Sequence, residues 1–460
     1  MLKIMSEYTD YNDENDVKEE PEEETVNETA EAETGPENGG ADAKTAEAEE
    51  TSSKKDETDK PDNKKIVKVP LFAAIIAALA IAVLTAQITF LSVRQSYHRK
   101  LATIEKNRFA DSKLEQIDEL YRKYYINDID DSALVDGLAK GYILGAGDKY
   151  GGYMSREEYE QFENKLDSKF DGIGVNVTWD SGSSCLEVIE VYEGSPAEAA
   201  GLLPADLITE VAKAAVSELG MDEAVDRIRG ETGTKVNLTV VRGDNTLSVD
   251  VERGKVDIKT VKLEEYGTVA VIKISNFYSS TAADFKAAVS RAKEDGCDRI
   301  VYDLRGNTGG LLDSVTEVLD HILPAGKTVR MVDAAGNWTY RESDESCLQM
   351  PMVIIVNGET ASAAELFTAA LRDFDYATVV GTQTYGKGTV VSTYTLSDGS
   401  SINVSTNRYY PPVSDNFEGK GITPDVILDQ DEETKKLKPY EINFENDIQL
   451  QKAVEIIKEK

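Results

Sequence analysis

Twenty-five consecutive residues without a charge, Val69 to Val93, constrain this chain more than any other feature. As a helix, "VPLFAAIIAALAIAVLTAQITFLSV" would extend about 37 Å, against a hydrocarbon core of about 30 Å. The run exceeds the apolar core of a signal peptide, which is about 7–15 residues. A buried soluble helix is rarely apolar on every side for so long. The expectation is one transmembrane helix at 64–93, inserted in a lipid bilayer. Lys64, Lys65 and Lys68 precede it and Arg94, Arg99 and Lys100 follow, so the flanks nearly balance under the positive-inside rule. All the globular patterning follows the run, which places the N-terminus in the cytoplasm and the remainder outside.

What precedes the run is acidic. Residues 1–63 carry 22 acidic and 6 basic side chains with almost no aromatics. Such a segment cannot bury enough apolar surface to offset its ordering entropy, so 1–63 reads as a disordered cytoplasmic tail. The whole chain carries a formal charge of -35, which argues against a nucleic-acid partner. The three cysteines, Cys185, Cys297 and Cys347, are scattered without metal-ligand spacing, so no metal site and no disulfide framework are expected.

After the run, 94–167 has helical spacing. Leu114, Ile117, Leu120 and Tyr121 recur at helical intervals, "DSALVDGLAKGYILGAG" ends in glycines, and Ser155 and Glu158 are spaced as a capping box. From Gly172 the period shortens. "GIGVNVTW" and "CLEVIEVY" read as strands, "MDEAVDRIRG" as a helix, and "KVNLTVVR" and "LSVDVER" as a hairpin pair around Gly243 and Asn245. A compact β-rich module is expected over 168–254. From 255 to 428 strands alternate with helices: "VAVIKI", "RIVYDL", "MVIIVN" and "ATVVG" are each apolar runs beside helical patterns. The fold class is therefore α/β with a buried sheet. A last helix, "NDIQLQKAVEIIKEK", lies in 429–460 and either packs on its own domain or joins two copies into a homodimer.

The chemistry gathers at "ETASAAEL", where a serine stands at the start of a helix. Ser362 and Glu365 match S-x-x-E, a helix cap that needs no catalytic role. A nucleophilic Ser362 needs a base, and only His98 and His321 are present in the chain. A neutral lysine can serve instead. Bringing its pKa from about 10.4 towards 7 costs about 4–5 kcal/mol, supplied by burial. "TYGKGT" offers Lys387 between two glycines. The same stretch matches GxxxxGK, but Gly388 stands where a phosphate loop needs Ser or Thr, and β-branched residues follow where a helix is required. For an oxyanion, the amide of Ala363 sits at a helix N-terminus, and "DLRGNTGGLL" offers Gly309 or Gly310.

"DLRGNTGG", "TASAAEL", "YGKG" and "GKGITPD", in that order, resemble the C-terminal processing peptidases, also called tail-specific proteases. The resemblance spans about 110–455. It implies a ClpP/crotonase-like protease core carrying an inserted PDZ domain, a serine–lysine dyad of Ser362 and Lys387, no metal or nucleotide cofactor, and an extracytoplasmic site in a bacterial membrane. Family members often carry Gln four residues after the lysine, where it orients the amine; here Val391 stands there, and Asp373 is a candidate for supporting the dyad instead. Arg often stands where this chain has Tyr376, and Pro where it has Thr308. The middle module resembles a PDZ domain, with Gly172, Ile173, Gly174 and Val175 of "FDGIGV" as its carboxylate-binding loop and Arg229 as a candidate gating contact. The implied activity is an endopeptidase acting on proteins with unstructured C-termini. The alternative is an anchored PDZ scaffold whose protease core is inactive, motivated by Val391.

Overall fold

The computed structural model describes residues 112–460, together with Phe72, Thr85 and Gln87. The acidic tail, the rest of the apolar run and His98 lie outside the described residues. Among the described residues no helix is long and apolar enough to cross a membrane.

The core is built on a six-stranded sheet. Four parallel strands, Val269–Ile274, Arg299–Asp303, Met352–Val356 and Ala377–Gly381, run side by side. Val261–Tyr266 adds antiparallel at one edge and Val426–Ile427 adds parallel at the other. Met352–Val356 is buried along its whole length, as expected for a strand covered on both faces. One face receives the helices Thr281–Glu294, Leu312–Ile322 and Ala363–Asp373, whose apolar sides merge into one cluster with Phe277, Tyr302 and Phe367. The other face is covered by Ile448–Lys458, through Leu450, Ala453, Val454 and Ile457. Of the two readings open for this C-terminal helix, its apolar side is used on its own sheet.

A second sheet, unforeseen in the sequence, lies beside the first. Ser401–Tyr410 is its spine, flanked by Gly152–Met154, Gly326–Asp333 and Thr389–Thr395, with Trp338–Ser343 beyond. The region before the β-rich module therefore contributes a strand to this sheet. The capping box of Ser155 and Glu158 forms at the head of Arg156–Leu166. By contrast, Asp131–Gly145 buries none of its side chains: Val135 and Tyr142 face solvent. Ala139 and Ile143 are half-buried, and the helix is tied to its neighbours where the Tyr153 hydroxyl donates to Asp136 at 2.6 Å and Lys140 pairs with Glu158 at 3.2 Å.

The β-rich module has its own core, centred on Leu186, Ile208, Leu238 and Val251. Five strands run in the order Val175–Asp180, Cys185–Val191, Leu207–Val211, Lys235–Arg242, Asn245–Glu252. The expected hairpin closes with Arg242 opposite Asn245. The helix Val216–Ile228 starts before the predicted "MDEAVDRI" and is interrupted at Gly220, where φ is 75°. Chain entry and exit are paired: Lys169–Gly172 runs antiparallel to Gly254–Asp257.

The turn after Arg299–Asp303 leads to the glycine loop, and a buried ion network anchors it. Arg305 bonds Asp303 and Asp447 at 2.7 Å each, and Asp447 caps the C-terminal helix. Replacing Arg305 with Met would leave two nearly buried carboxylates uncompensated. The expected loss is about 3–5 kcal/mol, read as a lowered urea midpoint.

Candidate active site

Ser362 sits where Met352–Val356 has ended and Ala363–Asp373 begins. Its backbone is left-handed, φ 57° and ψ -120°, which is costly for a residue with a Cβ. The strain holds because neighbours leave no other course. A Cβ added to Gly309 would lie 2.8 Å from Ser362 Cβ, so the glycine loop packs directly against the serine. Only glycine permits that approach, at φ 100°.

The Glu365 carboxylate, fully buried, organises the site. Its Oε2 accepts the N–H groups of Ser362 at 2.9 Å and Lys387 at 2.8 Å. Its Oε1 accepts the N–H of Gly386 at 2.7 Å and the Thr384 hydroxyl at 2.6 Å. Thr384 Oγ1 accepts the Ile422 N–H, so its single proton goes to Glu365. Burial pushes the Glu365 carboxyl up, and the four donors pull it back towards the ionised form. Ser362 and Lys387, 25 positions apart in sequence, thus share one acceptor oxygen.

Tyr409 links the same two residues from the second sheet. Its hydroxyl is 2.6 Å from the Lys387 carbonyl and 3.2 Å from Ser362 Oγ. A phenol has one proton, and the carbonyl can only accept it. Ser362 is therefore the donor in the second contact, and its hydroxyl hydrogen points at the Tyr409 oxygen. Among the described residues Lys387 Nζ makes no hydrogen bond and no ion pair; it lies 4.8 Å from the centre of the Tyr150 ring. Burial pushes the Lys387 amine below its ordinary pKa. Glu418, Asp148 and Glu365 oppose that shift, and Lys149 adds to it. His321 is remote in character as well as in chain, stacked edge-on against Phe285 in the helix layer.

The other predicted residues separate. Ala363 and Gly310 carry N–H groups with no hydrogen-bond partner among the described residues. Gly309 donates its N–H to Asn307 Oδ1 at 2.8 Å, which removes it from the free donors. Asp373 lies away from Ser362. It ends the helix that Ser362 begins, about 16 Å away at 1.5 Å per residue, and accepts the N–H groups of Val413 and Ser414 at 2.8 Å each. Val391 sits on Thr389–Thr395, opposite Ser405. In the β-rich module, Gly172 lies in the paired ribbon, and Ile173 and Gly174 use their carbonyls for Ala197 and Tyr192. The N–H groups of Ile173 and Gly174 have no partner among the described residues. Val175 begins the edge strand, whose outer side is unpaired. Arg229 is exposed and, among the described residues, its side chain pairs only with its neighbour Asp226, at 3.9 Å.

The sequence matches the profile of Peptidase family S41 over residues 268–428 and that of a PDZ domain over 187–242. A relative from Staphylococcus epidermidis, "Probable CtpA-like serine protease", is 32% identical over 370 residues, spanning 80% of this chain and 75% of the relative. The chain belongs to peptidase family S41. A Staphylococcus aureus protein of the same description is 31% identical over 384 residues, 82% of this chain and 76% of that one. The solved structure "Photosystem II D1 C-terminal processing protease" covers 68% of this chain and 86% of its own, at 26% identity and a TM-score of 0.42. On the profile matches and these relatives, this S41 protein is a serine-type peptidase, a mixed α/β fold with a PDZ domain.

In this peptidase, sequence reasoning had given Glu365 only a capping role, and it had missed Tyr409, Tyr150, Asp148 and Glu418. The spacing of Glu365 from Ser362 was the one available signal. Replacing Glu365 with Gln would turn an amide NH2 towards one pair of donors. About 2–4 kcal/mol of stability should be lost, with activity falling in parallel, measured by thermal unfolding and peptide hydrolysis.

Proposed function

We propose that this chain is a membrane-anchored serine endopeptidase, with Ser362 as nucleophile and Lys387 as general base. The observation that carries the reading is the Glu365 carboxylate, which holds the backbone of both residues while Lys387 Nζ stays unpaired. A base must be neutral before it works, and an amine with no carboxylate partner, pushed down by burial, meets that need.

The steps follow from the groups present. Ser362 Oγ bonds to the scissile carbonyl carbon as its proton passes to Lys387 Nζ, and the C=O π pair moves onto oxygen. The N–H of Ala363, at a helix N-terminus, and that of Gly310 receive this oxyanion. The ammonium then protonates the leaving nitrogen as the C–N bond breaks. Water, deprotonated by the same amine, attacks the acyl-enzyme and restores Ser362. At rest the Ser362 hydroxyl donates its hydrogen bond to Tyr409, so binding of substrate must turn that hydroxyl away.

Substrate delivery is assigned to the PDZ domain. The unpartnered N–H groups of Ile173 and Gly174 suit a terminal carboxylate, and the open edge of Val175–Asp180 suits a strand added beside it. Unstructured C-termini of proteins are the substrate class. The uncharged run 69–93 supplies the anchor, with the acidic tail cytoplasmic and the peptidase outside a bacterial membrane.

Full-length protein in detergent, given an unstructured protein with an apolar C-terminus, should cleave it. Ser362→Ala and Lys387→Ala should each lower kcat on the order of 10³-fold; cleavage retained by either would end the dyad assignment. Lys387→Arg should be inactive too, because guanidinium keeps its proton.

The pH profile has a definite sign. Lys387 is depressed from 10.5, so the inactive ammonium prevails at low pH and the active amine above the shifted pKa. The value of kcat/KM should rise with pH along a one-proton limb whose midpoint lies below 10.5. A midpoint at or above that value would contradict the burial argument. In cells, the full chain should remain in the membrane fraction after alkaline carbonate washing, whereas deletion of residues 1–93 should release it.

A further inference from the structure

Tyr150 lies outside the span matched to the peptidase family, in a turn at the far end of the sequence from the catalytic motifs. We propose that Tyr150 is a positioning residue for the lysine base: its ring fixes Lys387 Nζ and stabilises the ammonium formed there during catalysis. The inference rests on the Ser362–Lys387 assignment made above.

The geometry begins with what Nζ lacks. Among the described residues no side chain offers it a hydrogen bond or an ion pair. What it meets is the Tyr150 ring, 4.8 Å to the centroid, inside the roughly 6 Å reach of a cation–π contact. The ring itself is held on two sides and only 8% exposed. Its hydroxyl donates to Glu418 Oε1 at 2.5 Å. The other oxygen of Glu418 accepts the Gly388 N–H at 2.8 Å and the Thr389 hydroxyl at 2.9 Å, from the two residues that follow Lys387. One carboxylate therefore registers the ring against the backbone of the lysine it covers.

The second hold is Asp148. It accepts the Tyr150 N–H at 3.1 Å, and the N–H and hydroxyl of Ser405 at 2.8 and 2.6 Å. Ser405 is the cross-strand partner of Val391, so the turn bearing Tyr150 is pinned at the level of that apolar residue. Lys149 lies 4.9 Å from the same ring and 4.0 Å from Glu418, with most of its side chain exposed. The charged groups facing Lys387 are thus Glu418, Asp148, Glu365 and Lys149.

A ring suits this place better than a carboxylate would. A carboxylate in contact with Nζ would favour the ammonium at rest and remove the base. A π face attracts the ammonium more weakly, excludes water, and leaves the resting amine free to deprotonate. Its attraction grows when Nζ takes the Ser362 proton, as the serine oxygen bonds to carbon and the carbonyl π pair moves onto oxygen. The positive charge then appears beneath the ring face, so the contact is stronger in the transition state than before it.

The test uses the full-length protein in detergent and an unstructured peptide substrate. Tyr150→Phe keeps the ring and should hold kcat within about 3-fold. Tyr150→Leu keeps an apolar cover without a π face and should lower kcat about 10–100-fold with KM within about 2-fold. Placing phenylalanine with one, two, three and then five ring fluorines at position 150 drains the π face at nearly constant shape. The expected result is a stepwise fall in kcat with an unchanged unfolding midpoint. This series decides the matter even if Tyr150→Leu fails to fold. A flat series, or a Tyr150→Leu variant with native kcat, overturns the proposal. Lys387→Ala separates the two levels: if it is inactive while the fluorine series is flat, only the role of Tyr150 falls. If it is active, the dyad assignment falls and the role of Tyr150 with it.

Discussion

One buried carboxylate sets the geometry on which the peptidase site depends. Removing a charge from water costs several kcal/mol, and four hydrogen bonds offset part of it, leaving the Glu365 carboxyl above its ordinary range. Those donors come from the Ser362 turn and the Lys387 loop. Satisfying the charge and bringing the two loops together are therefore the same event. The Ser362 backbone strain is stable for a related reason. With its N–H committed to Glu365 and Gly309 pressed against its Cβ, the residue cannot relax without exposing a buried charge.

The site also depends on both sheets. The parallel sheet presents Ser362 at the end of a strand, and the second sheet brings Tyr409 beneath it. Glu418 then ties the lysine loop to Tyr150, which belongs to a segment preceding the PDZ domain. The groups around Ser362 thus span positions 148 to 418, and their mutual placement is a property of the folded whole. The helix Asp131–Gly145 contributes none of these groups, and its Val135 and Tyr142 face solvent.

Legibility in the sequence followed contact range. The buried strands, the Ser155 cap and the hairpin at Gly243 declare themselves within a few residues, through periodicity and turn chemistry. The motif order gave the family, and with it Ser362 and Lys387. The second sheet was hidden where its strands pair out of sequence order, Gly152–Met154 and Gly326–Asp333 each with Ser401–Tyr410. Tyr409 and Tyr150 were hidden for the same reason: a tyrosine in "RYYPP" or "DKYGG" carries no local sign of a partner far along the chain. Asp373, a candidate for supporting Lys387 in the absence of the usual Gln, stands at the far end of the helix that begins at Ser362. Gly309 misled differently. Its backbone does approach the serine, but a side chain two residues earlier takes its N–H.

The ribbon of Lys169–Gly172 and Gly254–Asp257 bears on how this architecture could arise and change. Gly172 and Gly254 face one another at its end, so the PDZ domain enters and leaves through neighbouring backbone positions. A short turn joining those two glycines would convert the ribbon into an ordinary hairpin and leave the strands below it in register. The domain is in this sense a cartridge in a fixed socket. A lineage could exchange one recognition unit for another, or discard it, in a single splice that leaves the catalytic layers untouched.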